Sequence, residues 1–158
     1  WLNNVLMQEV KRIMKTIHLK IVTPDSILLD KEVESVSIPT VEGEITVLPM
    51  HIPILAGMKP GELRIKADKK EEYFSVMRGV AEVDGETITI LTDAAEHADD
   101  IDEERADAAA KAAKELMAKK RSSEEGYTEA MAELERSLSR IKIIRKRRRG
   151  SKVRIDSN

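Results

Sequence analysis

Between Val36 and Ile65 the chain reads VSIPTVEGEITVLPMHIPILAGMKPGELRI, and no other stretch limits the fold so tightly. It carries three glycines (Gly43, Gly57, Gly61), four prolines (Pro39, Pro49, Pro53, Pro60) and His51 among short apolar alternations. Proline fixes φ and removes a backbone donor, and glycine admits φ > 0. A helix is therefore excluded, and a sheet that is repeatedly turned and bulged is expected.

The flanking segments repeat the period of two. Alternation and turn punctuation predict strands at 17–22, 27–29, 33–38, 44–48, 62–66, 73–78, 80–83 and 86–92, with Pro24-Asp25-Ser26 as a turn. Asp84-Gly85 is a two-residue hairpin signal. Many short strands with turn residues between them imply an antiparallel sandwich or barrel, and about 80 residues suffice for its core.

At His97-Ala98-Asp99-Asp100 the composition changes. Asp102 is placed to cap a helix whose first turn carries Glu103 and Glu104, on the favourable side of the dipole. Ala106, Ala109, Ala113 and Leu116 form its expected seam. Ser122-Ser123-Glu124-Glu125 restarts a helix with a possible Ser122/Glu125 capping box. Tyr127, Met131, Leu134, Leu138 and Ile141 form the second seam, at spacings of 4 and 3. The fold class is thus an all-β sandwich followed by an antiparallel α-helical hairpin, with the sandwich at 14–94, the hairpin at 95–149 and a basic flexible tail at 150–158. An alanine seam contributes little apolar area and helices of this length are marginal alone, so the hairpin is expected to open.

Residues 1–13 fit this plan poorly. Gln8-Glu9-Val10 can be encoded by a purine-rich sequence that doubles as a bacterial ribosome-binding site upstream of Met14, so translation is expected to start at Met14 and 1–13 to be a non-native leader. The alternative is a short helix with Leu2, Leu6 and Val10 on one face.

Charge is segregated. Arg140 to Asn158 holds nine basic residues and one acid, while the remaining residues hold 18 basic and 28 acidic ones. Such asymmetry concerns partners more than fold. The absence of cysteine removes thiolate chemistry and cysteine-based metal sites. The aromatic content of 3% leaves little platform for stacking single-stranded nucleic acid. His51 has no serine or cysteine partner nearby and no metal-ligand spacing with His18 or His97, and no P-loop is present, so an enzyme is not expected. One alternative is a polybasic adaptor for nucleic acid or an anionic membrane surface. The acidic body and the lack of interleaved aromatics oppose it.

With VEGEITVLPMHIPILAGMKPGELRI in a sandwich and IDEERA at the entry to a helical hairpin, the chain resembles the epsilon subunit of the bacterial rotary F-type ATP synthase from Met14 to about Ile144. The resemblance implies a non-catalytic central-stalk subunit on the cytoplasmic face of the cell membrane. Its partners would be the gamma subunit, the c-ring and the catalytic beta subunits, with no nucleic acid and only indirect membrane contact. It places a c-ring or gamma contact at Glu42, Gly43, Glu44 and His51. It makes the hairpin a brake on ATP hydrolysis, with Arg145, Lys146, Arg147, Arg148 and Arg149 facing an acidic helix–turn–helix of beta. No cofactor is required. ATP as a regulatory ligand of the folded hairpin would be held by Glu96, Ile101, Asp102, Arg105, Ala106, Arg136 and Arg140. Read without the resemblance, IDEERA is a capped helix start and Arg136 and Arg140 are solvated. The sequence departs from the family at Thr46, where glycine is usual, and at Ala112, where an arginine is usual; Lys111 or Lys114 would have to compensate.

Overall fold

The computed structural model describes Met7, residues 16–119 and residues 124–155, with side chains of the last segment described from 126 to 146. The expected leader, apart from Met7, and the Ser122 end of the possible capping box lie outside the described residues. The chain divides between Ala95 and Glu96 into two compact units.

The first unit is built of strands β1 (Ile17–Val22), β2 (Ile27–Val33), β3 (Ser35–Thr40), β4 (Gly43–Val47), β5 (Ile54–Met58), β6 (Gly61–Ala67), β7 (Lys70–Val76), β8 (Gly79–Val83) and β9 (Thr87–Thr92). Their order in space is β7-β6-β3-β5-β8-β9-β1-β2, with β4 added to β3. All pairings along this path are antiparallel except β1 with β9. The sheet folds on itself: Lys31 of β2 reaches Glu72 of β7 at 2.6 Å, joining strands from its two ends. Between the layers lies one core, whose largest members include Ile17, Leu19, Ile21, Ile38, Leu63, Ile65, Ile88 and Ile90.

Four features differ from the expected strands and turns. Val33 and Val36 are both buried although three residues apart, which a period of two forbids in one strand. The chain therefore breaks at Glu34, and the single strand expected at 33–38 is the end of β2 and the start of β3. Strand β5 adds to the expected strands, because Ile54-Leu55-Ala56-Gly57-Met58 alternates in burial but hardly in polarity. Strand β7 begins at Lys70, earlier than expected, because Asp68 and Lys69 both adopt positive φ (50° and 65°) and make a tight turn without glycine. At the other hairpin β8 ends at Val83 and β9 begins at Thr87, so the Asp84-Gly85 connection spans 84–86 and is one residue longer than a two-residue turn.

The second unit contains a 3-10 turn (Ala98–Asp100) and helices α1 (Glu103–Lys119) and α2 (Glu124–Ile155). A further short strand, β10 (Ala95–His97), lies where the two units meet in sequence. Ala106 and Ala110 of α1 pack with Ile141 and Leu134 of α2. The expected seam is partly corrected. Leu116, Tyr127, Met131 and Leu138 are exposed, whereas Ala110, Ala130, Ser137 and Ile143 are buried. A face of alanines lets the partner helix approach closely, and close approach selects small residues over the largest apolar ones. Helix α2 continues through Gly150 to Ile155, so the first six residues of the tail expected to be flexible at 150–158 prolong the helix. One interior glycine costs about 1 kcal/mol, too little to end a helix in good helix formers.

Candidate functional site

The start of α1 is fixed by Asp102. Its Oδ1 accepts from the backbone N–H of Glu104 (3.0 Å) and Arg105 (3.2 Å), two of the donors a helix start leaves unpaired. Its carbonyl accepts from Ala106 N–H at 3.0 Å. Within IDEERA, then, Asp102 caps, Ala106 fills the interhelical seam and Ile101 is half-buried. Arg105 projects outward, with a side chain 89% exposed and only a 4.0 Å contact to Asp102 Oδ2. The motif's residues thus divide between building the helix and presenting one cation.

On α2, Arg140 donates through Nε to Glu96 Oε2 at 2.6 Å, so two of the expected site residues meet directly. Arg136, one turn earlier, contacts Glu133 through Nη1 at 3.4 Å. Its Nε is buried and makes no hydrogen bond. A guanidinium with an orphaned buried donor, beside a second guanidinium one turn away, is suited to an anionic oxygen acceptor such as phosphate. Lys111, Ala112 and Lys114 on α1 are all exposed.

The four expected contact residues of the sandwich do not form one locus. Val41-Glu42 is the two-residue turn between β3 and β4, closed by the Thr40–Gly43 pair and by Thr40 Oγ1 donating to Gly43 O at 2.6 Å. Gly43 has φ +130°, and Glu44 lies 3.7 Å from Arg64 Nη2. His51 lies beyond the opposite end of β4, on the order of 13 Å of strand away. There its Nδ1 donates to Ile52 O at 2.8 Å, while Met50 N–H bonds Gly85 O and His51 N–H bonds Leu48 O. Met50 takes a left-handed φ of 63°. Leu48, Met50 and Ile52 around it are exposed.

Sequence reasoning missed a second feature of the sandwich. On its outer face Gly57, Val80, Leu91, Val22 and Ile27 stand in register across β5, β8, β9, β1 and β2. Val41 continues the row, its side chain over Gly57. Val41 is 62% exposed, Val80 39%, Leu91 50% and Ile27 55%, so an apolar row roughly 19 Å long faces outward. The registers that build it depend on strand order, which short motifs do not reveal.

Of the basic run, Arg145 lies 3.6 Å from Glu103 and 3.7 Å from Asp107. Lys146 is exposed, and the side chains of Arg147, Arg148 and Arg149 lie outside the described residues. Among the described residues no helix is long and apolar enough to cross a membrane, and no group of three His, Asp or Glu is placed to hold a metal.

Comparison with known proteins places this architecture. Residues 16–98 match the family described as the beta-sandwich domain of the ATP synthase Delta/Epsilon chain, and residues 99–145 match its long alpha-helix domain. The chain is 40% identical over 129 residues to the ATP synthase epsilon chain of Nitratidesulfovibrio vulgaris, covering 82% of this chain and 96% of that one. It is also 40% identical over 130 residues to that of Bacillus velezensis, covering 82% and 98%. A chain in the Euglena gracilis mitochondrial ATP synthase OSCP/F1/c-ring structure is similar with a TM-score of 0.66 at 25% identity, covering 77% of this chain and 76% of that one. The chain therefore belongs to the ATP synthase epsilon-chain family, whose members are accessory, non-catalytic subunits of the enzyme.

Proposed function

We propose that the chain is a rotor subunit whose sandwich couples gamma to the c-ring during proton-driven synthesis, on the cytoplasmic face of a bacterial membrane. The observation that carries this reading is the outward apolar row from Val41 to Ile27. A continuous exposed apolar strip on a sheet face is the kind of surface that a partner covers in a working assembly. The tip at Glu42, Gly43 and Glu44 and the loop at His51 supply further contacts at the two ends of β4. Val80→Glu places a charge in the middle of the row, and the expected outcome is loss of the chain from purified synthase while the isolated protein stays folded. Normal incorporation of that variant overturns the docking.

The hairpin acts on this reading as a brake on ATP hydrolysis, with Arg145, Lys146, Arg147, Arg148 and Arg149 meeting an acidic surface of the beta subunits. Its alanine-rich seam supports an element that can open, and charge-assisted contacts add up along a basic helix. ATP, a regulatory ligand and no required cofactor, is held by the folded form. Arg136 and Arg140 take phosphate, and Glu96, Ile101, Asp102, Arg105 and Ala106 frame the site. Ligand at 100 times its dissociation constant favours that form by about 2.7 kcal/mol. Deleting residues 145–158 should raise ATP hydrolysis by the assembled synthase, and unchanged hydrolysis removes the brake.

A further inference from the structure

Glu103 and Asp107 stand at i and i+4 on α1, so their carboxylates share one face of the helix. A single guanidinium from α2 spans them. Arg145 Nε lies 3.6 Å from Glu103 Oε1, and Arg145 Nη2 lies 3.7 Å from Asp107 Oδ1. Different nitrogens of one rigid fork thus serve different carboxylates, an arrangement that a point-charge ammonium does not reproduce. Glu103 is the more enclosed of the pair, with a side chain 20% exposed. These contacts sit where α1 begins, at the open end of the hairpin, the end from which the helices would separate.

Arg145 is also the first residue of the run RKRRR, which the reading above assigns to an acidic partner. We infer that Glu103 and Asp107 are an internal stand-in for that partner: they occupy Arg145 in the folded hairpin, and a partner helix presenting two carboxylates one turn apart takes Arg145 only when the hairpin releases it. The inference rests on the reading of the basic run as a partner contact. It adds that closure and engagement compete for one side chain. By linkage, whatever weakens the internal contact strengthens the external one. The seam itself buries mostly alanine, so charge at the open end has unusual leverage over closure, and that leverage falls as salt rises.

The chain has no cysteine, so fluorophores on Ala108→Cys and Lys142→Cys, both exposed positions, report closure of the full-length isolated protein by energy transfer. Arg145→Glu is expected to lower the closed-to-open ratio about three- to tenfold, and Glu103→Lys with Asp107→Lys to do the same. Combining all three substitutions restores the pairing with signs exchanged and should return the ratio to within about twofold of the parent. A synthetic helical peptide with glutamates at i and i+4 should bind the Glu103→Gln/Asp107→Asn variant about threefold tighter than the parent. The inference is overturned if the triple variant stays as open as the partial ones with its helix content intact by circular dichroism. It is equally overturned if the partial variants close like the parent, or if the peptide binds both forms alike. Closure and peptide binding that follow the charges, with ATP hydrolysis indifferent to deletion of 145–158, would keep the lock and discard the brake.

Discussion

Arg140 Nε and Glu96 Oε2 approach to 2.6 Å across 44 residues of sequence, tying the second helix to the segment that precedes the first. Both side chains are about a third exposed, so water screens the pair. Glu96→Gln is expected to cost about 1 kcal/mol, less than a buried charge-assisted bond because of that screening. Amide exchange along α1 should quicken about fivefold, and unchanged exchange would show the pair to be inert.

Arg136 offers a buried Nε without a hydrogen bond. Isothermal titration with ATP should give heat for the parent and none for Arg136→Ala. No heat for the parent removes the nucleotide from the proposal.

Gly79 is enclosed by its neighbour in the sheet: a Cβ built there would lie 2.0 Å from Leu91 O. Gly79→Ala must displace backbone and is expected to destabilise the sandwich by about 3 kcal/mol. Gly85 is different, with φ +101° and 3.4 Å between an added Cβ and His51 O. Gly85→Ala should cost roughly 1 kcal/mol, chiefly through the backbone. Urea unfolding of the two variants checks the order.

Asp84 Oδ1 accepts from the backbone N–H of Thr87 at 2.7 Å and Glu86 at 2.9 Å. These bonds, with Thr87 the stronger influence, hold its carboxyl below the usual carboxylate range. The stabilisation is fully present above the unfolded value of about 4 and is lost as pH falls through the lowered folded value. Asp84→Ala should flatten the acid limb of a stability-against-pH curve, and a superimposable limb would refute the role.

Tyr73 behaves in the opposite sense. Its hydroxyl donates to Glu71 Oε2 at 2.5 Å, and this bond, followed by partial burial, raises its pKa. Stability is fully present below about pH 10 and is lost as pH rises through the raised folded value. Tyr73→Phe should remove that alkaline loss in thermal melts, with the parent as reference.

Much of this architecture is legible in the residues because its signals are local. Asp102 caps α1 as the spacing of IDEERA predicts, and the strand containing Ile17, Leu19 and Ile21 alternates in burial as it does in polarity. Where meaning depends on a neighbour, the sequence is mute. Leu138 is as apolar as Leu134, yet only Leu134 joins the seam, because the alanine face opposite decides the phase. Asp68-Lys69 turns without glycine, and β5 hides because Leu55 points outward. Likewise Arg145 could be recognised as basic, but its acidic partners lie on another helix at a distance only the fold sets.

The unequal length of the two helices gives the hairpin a handle. Glu103 is the first residue of α1, and Arg145, which reaches it, is followed by ten more helical residues ending at Ile155. At 1.5 Å per residue these extend roughly 15 Å past the start of α1. A closed hairpin therefore still holds out a short positively charged rod. On the proposed beta-subunit contact, a partner would grasp it before the hairpin opens, so that capture and unlatching would be successive events with separate rates.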